Sequence, residues 1–164
     1  MRFILSDTHF NHKNIIRYCK RPFSDIAHMN EKIIENWNKI VDRNDIVYFL
    51  GDMKHGRTST DSWLEQLNGK IFFLQGNHDM DIIRNAVVLP NRFFITHKGI
   101  KFLLMHEPIR PTHYNGWIIH GHIHNNNPVG FPFFNKDTKM INVSVEFLEY
   151  KPLNLDTITT MINV

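Results

Sequence analysis

Phe3-Ile4-Leu5-Ser6 runs into Asp7-Thr8-His9, Val47-Tyr48-Phe49-Leu50 into Gly51-Asp52, and Phe72-Phe73-Leu74-Gln75 into Gly76-Asn77-His78-Asp79. Two more stretches follow the same rule: Phe102-Leu103-Leu104-Met105 ends in His106, and Trp117-Ile118-Ile119-His120 ends in Gly121-His122-Ile123-His124. A short apolar run bounded by turn residues reads as a buried strand. Each of these five strands therefore finishes in a residue type that ligates metals. In open α/β sheets, sites form just beyond the carboxyl ends of strands. Convergence of these ends would gather the side chains in one crevice.

The strands are expected at Arg2–Ser6, Ile46–Gly51, Lys70–Gln75, Arg92–Thr96, Ile100–Met105 and Trp117–His120. Lys139–Phe147 alternates in part and reads as one more strand. Between the first two strands, Ile26, Met29, Ile33, Trp37, Ile40 and Val41 recur at helical spacing. They predict a helix over Ser24–Asp42, capped by Ser24 or Asp25. A second helix is expected over Ser59–Leu67, stopped by Asn68-Gly69. A third, short one is expected over Leu155–Ile162. Strand and helix alternate in the first half, which implies parallel strands with crossover helices. The second half is richer in strand, so a mixed α/β sandwich is expected. No linker or repeat divides the chain, and residues 1–164 read as a single domain.

The ligand set is two carboxylates (Asp7, Asp52), one amide (Asn77) and four imidazoles (His9, His106, His122, His124). No thiolate takes part, which argues against a structural zinc–thiolate site. Oxygen with imidazole suits Mn, Fe or Zn at a catalytic centre. Seven ligands exceed the needs of one ion and fit two ions sharing a carboxylate. Asp7/His9 and His122/His124 are two residues apart, and in extended chain both members of each pair would face one side.

Asp7-x-His9, Gly51-Asp52, Gly76-Asn77-His78-Asp79, His106 and Gly121-His122-x-His124, in this order, resemble the calcineurin-like metallophosphoesterase superfamily. Asn142-Val143-Ser144-Val145-Glu146 looks like the last strand of its small, uncapped bacterial and phage members. The resemblance implies a four-layer α/β/β/α sandwich of two mixed sheets. It implies two divalent ions, Mn²⁺ first, with Fe, Zn²⁺ or Ni²⁺ as alternatives. Asp7, His9 and His124 would hold one ion, Asn77, His106 and His122 the other, with Asp52 bridging. A hydroxide between the ions would attack phosphorus; His78, as a catalytic residue, would protonate the leaving oxygen or stabilise the transition state, and Asp79, the second catalytic candidate, would orient or charge-tune a neighbour. The chain reads Gly51-Asp52-Met53-Lys54-His55-Gly56, without the Asp-Arg-Gly element of Ser/Thr protein phosphatases, and carries Phe10 where many members have Gly.

Arg110, His55, Lys54 and Arg57 are candidate contacts to substrate. His12, His28, His97 and His113 carry no motif and read as structural or surface residues; His120 reads as packed. Eleven histidines are many for 164 residues, and metal binding explains part of that excess. Net charge is +3, which mildly favours anionic substrates but shows no dense basic stripe. The expected partner is a small phosphoester, first a diester or cyclic phosphate of a nucleotide; nucleic acid stays open as a partner, and oligomeric state is not legible. A phosphomonoesterase or protein phosphatase, a nuclease and a non-catalytic metal-binding scaffold are the alternatives. No apolar run spans a bilayer, and Cys19 is the lone cysteine, so a cytoplasmic setting is expected.

Overall fold

The computed structural model describes residues 1–164. Its first half alternates strand and helix: β1 (Arg2–Leu5), α1 (Lys13–Tyr18), α2 (Ile26–Ile40), β2 (Ile46–Phe49), α3 (Thr60–Leu64), β3 (Lys70–Leu74) and β4 (Val87–Leu89). Then come β5 (Phe93–His97), β6 (Ile100–Leu104), β7 (Trp117–His120), β8 (Phe134–Asn135), β9 (Met140–Asn142), a 3₁₀ turn (Val145–Phe147), β10 (Leu153–Asn154) and α4 (Leu155–Asn163). The sheet orders are β10-β1-β2-β3-β4 and β5-β6-β7-β9-β8. Both are mixed: β10, β5 and β8 run antiparallel to their neighbours, and the strands between are parallel. This is the two-sheet α/β sandwich expected from the sequence. No helix is long and apolar enough to cross a membrane.

Register brings the site elements level. Leu5 lies opposite Phe49 and Phe49 opposite Phe73, so β1, β2 and β3 end on one line. In the second sheet Leu104 pairs with Ile119, and His120 with Asn142. The sheets meet at this end, where the Ser6 backbone N–H donates to the Val143 carbonyl at 2.9 Å. One apolar core joins Phe3, Leu5 and Phe49 of the first sheet to Phe102, Leu104 and Ile119 of the second. Leu103 and Ile118 point to the other face of the second sheet, where Met105, Tyr114 and Met140 cover them.

Asp25 caps α2, its carboxylate accepting from the His28 N–H at 2.9 Å. Met29, Ile33 and Trp37 form the buried stripe of that helix. The second expected helix is shorter than read: α3 spans Thr60–Leu64 with Ser59 as its cap. Phe10 is fully buried and stacks on Trp63 with ring centroids 4.5 Å apart. A bulky ring at that position therefore ties the loop after β1 to α3. The strand expected over Lys139–Phe147 stops at Asn142. Its partner β7 ends at His120, leaving no ladder to continue, and Val145–Phe147 winds into the 3₁₀ turn.

Candidate metal centre

The loops following β1, β2, β3, β6 and β7 deliver the ligand-type side chains. Donor atoms of Asp7, His9 and His124 lie within 4.8 Å of one another, and those of Asp52, His106 and His122 do the same. Asn77 joins the second group, its Oδ1 standing 3.1 Å from His106 Nε2 and 3.0 Å from His122 Nδ1. Asp52 Oδ2 stands between the groups, 3.5 Å from His9 Nε2 and 3.4 Å from His106 Nε2.

The expectation of extended chain at the paired ligands is corrected by the backbone. Asp7, His9, His122 and His124 have φ of 63°, 51°, 71° and 52°, and Asp52 has 58°. These are left-handed conformations, costing about 1–2 kcal/mol for a residue with a Cβ. His122 and His124 fall in different groups, whereas Asp7 and His9, also left-handed, share one. Close packing holds the strain in place: at Gly121 a Cβ would collide with Ser6 Oγ and the Asp7 carboxylate. Gly51, at φ 95°, would place a Cβ 2.7 Å from His106 Nδ1.

The donor chemistry fits cations. His106 Nδ1 is 2.7 Å from the Leu50 carbonyl, so it carries the proton donated there. Nε2 then faces the Asn77 carbonyl oxygen, Asp52 and His122, a set dominated by lone pairs. Burial lowers the affinity of His106 for a proton, but the Asp52 hydrogen bond and the charges of Asp7 and Asp52 push its pKa up to about 9. His124 follows the same pattern. Burial opposes its charge, yet bonds to Cys19 and Glu146 and the charge of Asp7 push it up to about 11. Both pockets favour positive charge. His9 Nε2 is buried without any hydrogen-bond partner, which a ligated metal would satisfy. For Asp52, burial is outweighed by His106, the His78 N–H and His9, which hold its carboxyl down at about 2.

A further layer of residues supports these side chains from behind. Glu146 Oε1 accepts from His124 Nδ1 at 3.0 Å, while Arg21 donates to that carboxylate and to the carbonyls of Asp7 and Thr8. Arg21 and Glu146 are separated by 125 positions, so no local pattern pairs them. His12 was read as a structural or surface residue, but its Nδ1 lies 3.2 Å from His9 Nδ1. Burial and the nearby charges of His55 and His78 lower its pKa to about 4, so it is neutral. As acceptor, a neutral His12 would take the His9 Nδ1–H and leave the His9 Nε2 lone pair free for a metal. Carboxylate or imidazole partners of this kind orient metal-binding histidines. His12→Ala is expected to weaken Mn²⁺ binding by about 10–100-fold, read by titration of the metal-free chain.

Other candidates fall differently. His78 sits at the rim, its side chain 42% exposed and its Nε2 4.0 Å from Asp52 Oδ2. His55 is exposed and stacks on His12 at 4.3 Å, with its ring 6.2 Å from that of His78. Asp79, expected as a catalytic group, is buried, and its carboxylate accepts from the backbone N–H groups of Asp52, Met53 and Gly76 at 2.6, 3.0 and 3.0 Å. It clamps the Asp52 loop to the Asn77 loop, which makes it a positioning residue. Arg110 does not offer its guanidinium to the cluster but gives it to the carbonyls of Tyr114, Gly116 and Thr138. Lys54 is likewise occupied, paired to Asp81 at 2.9 Å.

A two-sheet sandwich with this crevice defines the class, and sequence comparison agrees. The profile of the calcineurin-like phosphoesterases matches residues 3–154. The chain belongs to that family of phosphoester hydrolases, whose members bind divalent metals. It is 47% identical over 165 residues to an uncharacterized protein of Methanocaldococcus jannaschii, covering 98% of this chain and 90% of that one. A Gene 66 protein of Mycobacterium phage L5 is 27% identical over 78 residues, covering 45% of this chain and 37% of its own length. The crystal structure of a protein of unknown function from Aquifex aeolicus superposes with TM-score 0.75 at 25% identity, covering 99% of each chain.

Proposed function

We propose that the chain hydrolyses phosphodiesters, with nucleotide diesters or cyclic phosphates as its first substrate class. Asp7, His9 and His124 would hold one divalent ion and Asn77, His106 and His122 the other, with Asp52 shared; Mn²⁺ is the first choice of metal. The observation that carries this reading is Asp52 Oδ2, placed 3.5 and 3.4 Å from the Nε2 atoms of His9 and His106, one from each group. Bound ions would supply Lewis acidity toward the phosphoryl oxygens and a water acidified toward neutral pH. The side chains do the rest. His78 stands at the open rim, where it reaches a leaving oxygen; its backbone N–H, donated to Asp52 Oδ1 at 2.9 Å, fixes its loop to the centre. The attacking water would give one proton to solvent and add to phosphorus as hydroxide; as the ester P–O bond breaks, the leaving oxygen takes the His78 proton, which solvent then restores. Asp79 holds the two loops in register throughout. The proposed setting is cytoplasmic, supported by Cys19, which is buried and unpaired.

The test is turnover of bis(p-nitrophenyl) phosphate and p-nitrophenyl phosphate by the Mn²⁺-loaded chain. The diester should be the better substrate. His78→Ala should lower kcat by about 10²–10⁴-fold on a diester with an alkoxide leaving group, and by less on the nitrophenyl esters, while metal content stays the same. Failure of the metal-loaded protein to hydrolyse either ester would overturn the enzymatic reading.

A further inference from the structure

A cleft of about 780 Å³ opens beside Asn77 and His106. Its size falls within the range of sites that enclose organic ligands. One wall is the turn between β4 and β5, with Asn91 and Arg92; the other is the loop after β6, with Glu107 and Ile109. β4 belongs to the first sheet and β5 and β6 to the second, so the cleft lies on the seam of the sandwich.

The cleft is lined by Asn77 and Asp79, the chain neighbours of the proposed acid, but not by His78 itself. The His78 ring keeps company with His9, His55 and His12, at centroid distances of 5.3, 6.2 and 6.4 Å. None of these three histidines lines the cleft, which instead borders the Asn77–His106 side. A phosphodiester has two arms. The arm that leaves must meet His78, which directs the arm that stays into the cleft.

The walls describe that arm. Arg21 and Arg110 are committed to protein carbonyls, whereas Arg92 is exposed to the cleft. A guanidinium fork matches a phosphate through two parallel hydrogen bonds. The Glu107 carboxylate only accepts, so its wall selects hydroxyl or amino donors and repels an anion. The Asn91 amide both donates and accepts, and exposed Ile109 adds apolar surface for a ring. Donors, a flat apolar body and a separate anion together describe a phosphorylated nucleoside.

We infer that this cleft is the subsite for the retained ester arm, that the arm is a nucleoside bearing a second phosphate, and that Arg92 grips that phosphate. The inference rests on the phosphodiesterase reading and names its specificity. Two substrates with one leaving group test it: the p-nitrophenyl ester of thymidine 5′-phosphate, and the same ester carrying a 3′-phosphate. The unsubstituted chain should favour the 3′-phosphorylated ester by about tenfold in kcat/KM. Arg92→Ala should bring that ratio close to one, and Arg92→Lys, a point charge without the fork, should keep part of it. A ratio near one in the unsubstituted chain, or one that Arg92→Ala leaves unchanged, overturns the inference. Calorimetric titration of thymidine 3′,5′-bisphosphate into the Mn²⁺-loaded protein separates this from the reaction itself. Binding weakened about tenfold by Arg92→Ala supports the cleft even if no ester is turned over, and binding indifferent to the substitution rejects it.

Discussion

Asp52→Asn is expected to leave a folded chain that holds about one metal ion in place of two and has lost roughly a thousandfold in kcat/KM. The substitution keeps shape and removes charge. Asp52 Oδ2 faces the Nε2 atoms of His9, His106 and His78 at 3.5, 3.4 and 4.0 Å, so a neutral amide there removes the one anion common to both groups. Without it two cations would stand close together with less negative charge between them, and the weaker site should empty first. His106 reports the change directly. Its pKa, raised to about 9 in the metal-free chain by the Asp52 hydrogen bond together with Asp7 and Asp52, should fall in the variant, as read by NMR titration. Metal analysis of the purified variant is the decisive measurement. Full metal content with undiminished turnover would remove Asp52 from the centre.

Arg21→Met should cost about 3–5 kcal/mol of stability, the range for breaking a buried ion pair from one side. The Arg21 guanidinium is buried and donates to Thr8 O at 2.7 Å, Asp7 O at 2.8 Å and Glu146 Oε1 at 2.9 and 2.7 Å. A methionine fills similar space but leaves two carbonyls unbonded and Glu146 dependent on His124 alone. For a chain of this length the melting temperature should drop by about 10 °C. Metal affinity should fall as well, because the Glu146–His124 bond orients a proposed ligand. The pH dependence has a definite sign. Burial raises the Glu146 pKa, but His124 and Arg21 outweigh it and hold the carboxyl down at about 2. A carboxylate depressed on folding contributes stability that is fully present above its unfolded pKa, about 4.3, and is lost as pH falls toward 2. The stability gap between the unsubstituted chain and the variant should therefore be wide at pH 7 and narrow below pH 4. Denaturant unfolding at both ends of that window measures it; a gap that does not change with pH would mean the pair carries no linked proton.

The ligand-type residues were legible because each follows a run that physical chemistry makes a buried strand, and strands in a parallel sheet end on one line. Leu5, Phe49 and Phe73 occupy that line here. The helix over Ile26–Ile40 was legible from its apolar spacing and its Asp25 cap. Local pattern misled where a segment's conformation depends on its neighbours. Lys139–Phe147 has strand-like alternation, but the ladder ends with the His120–Asn142 pair, and the turn that follows delivers Glu146 to His124. Short spacing at Asp7/His9 and His122/His124 suggested extended chain, yet all four residues are left-handed, a conformation that only surrounding packing can hold.

Sequence by itself determined which side chains are available for metal chemistry and that they stand at strand ends, because apolar runs, turn residues and ligand types are local properties. The tertiary structure gave distances to the grouping that the resemblance implied, and settled which charged side chains are already paired. The contacts of Arg21, Glu146, His12 and Arg92 are visible only there. Their roles come from distances between segments far apart in the chain, and a distance across the fold leaves no periodic trace in the residues on either side.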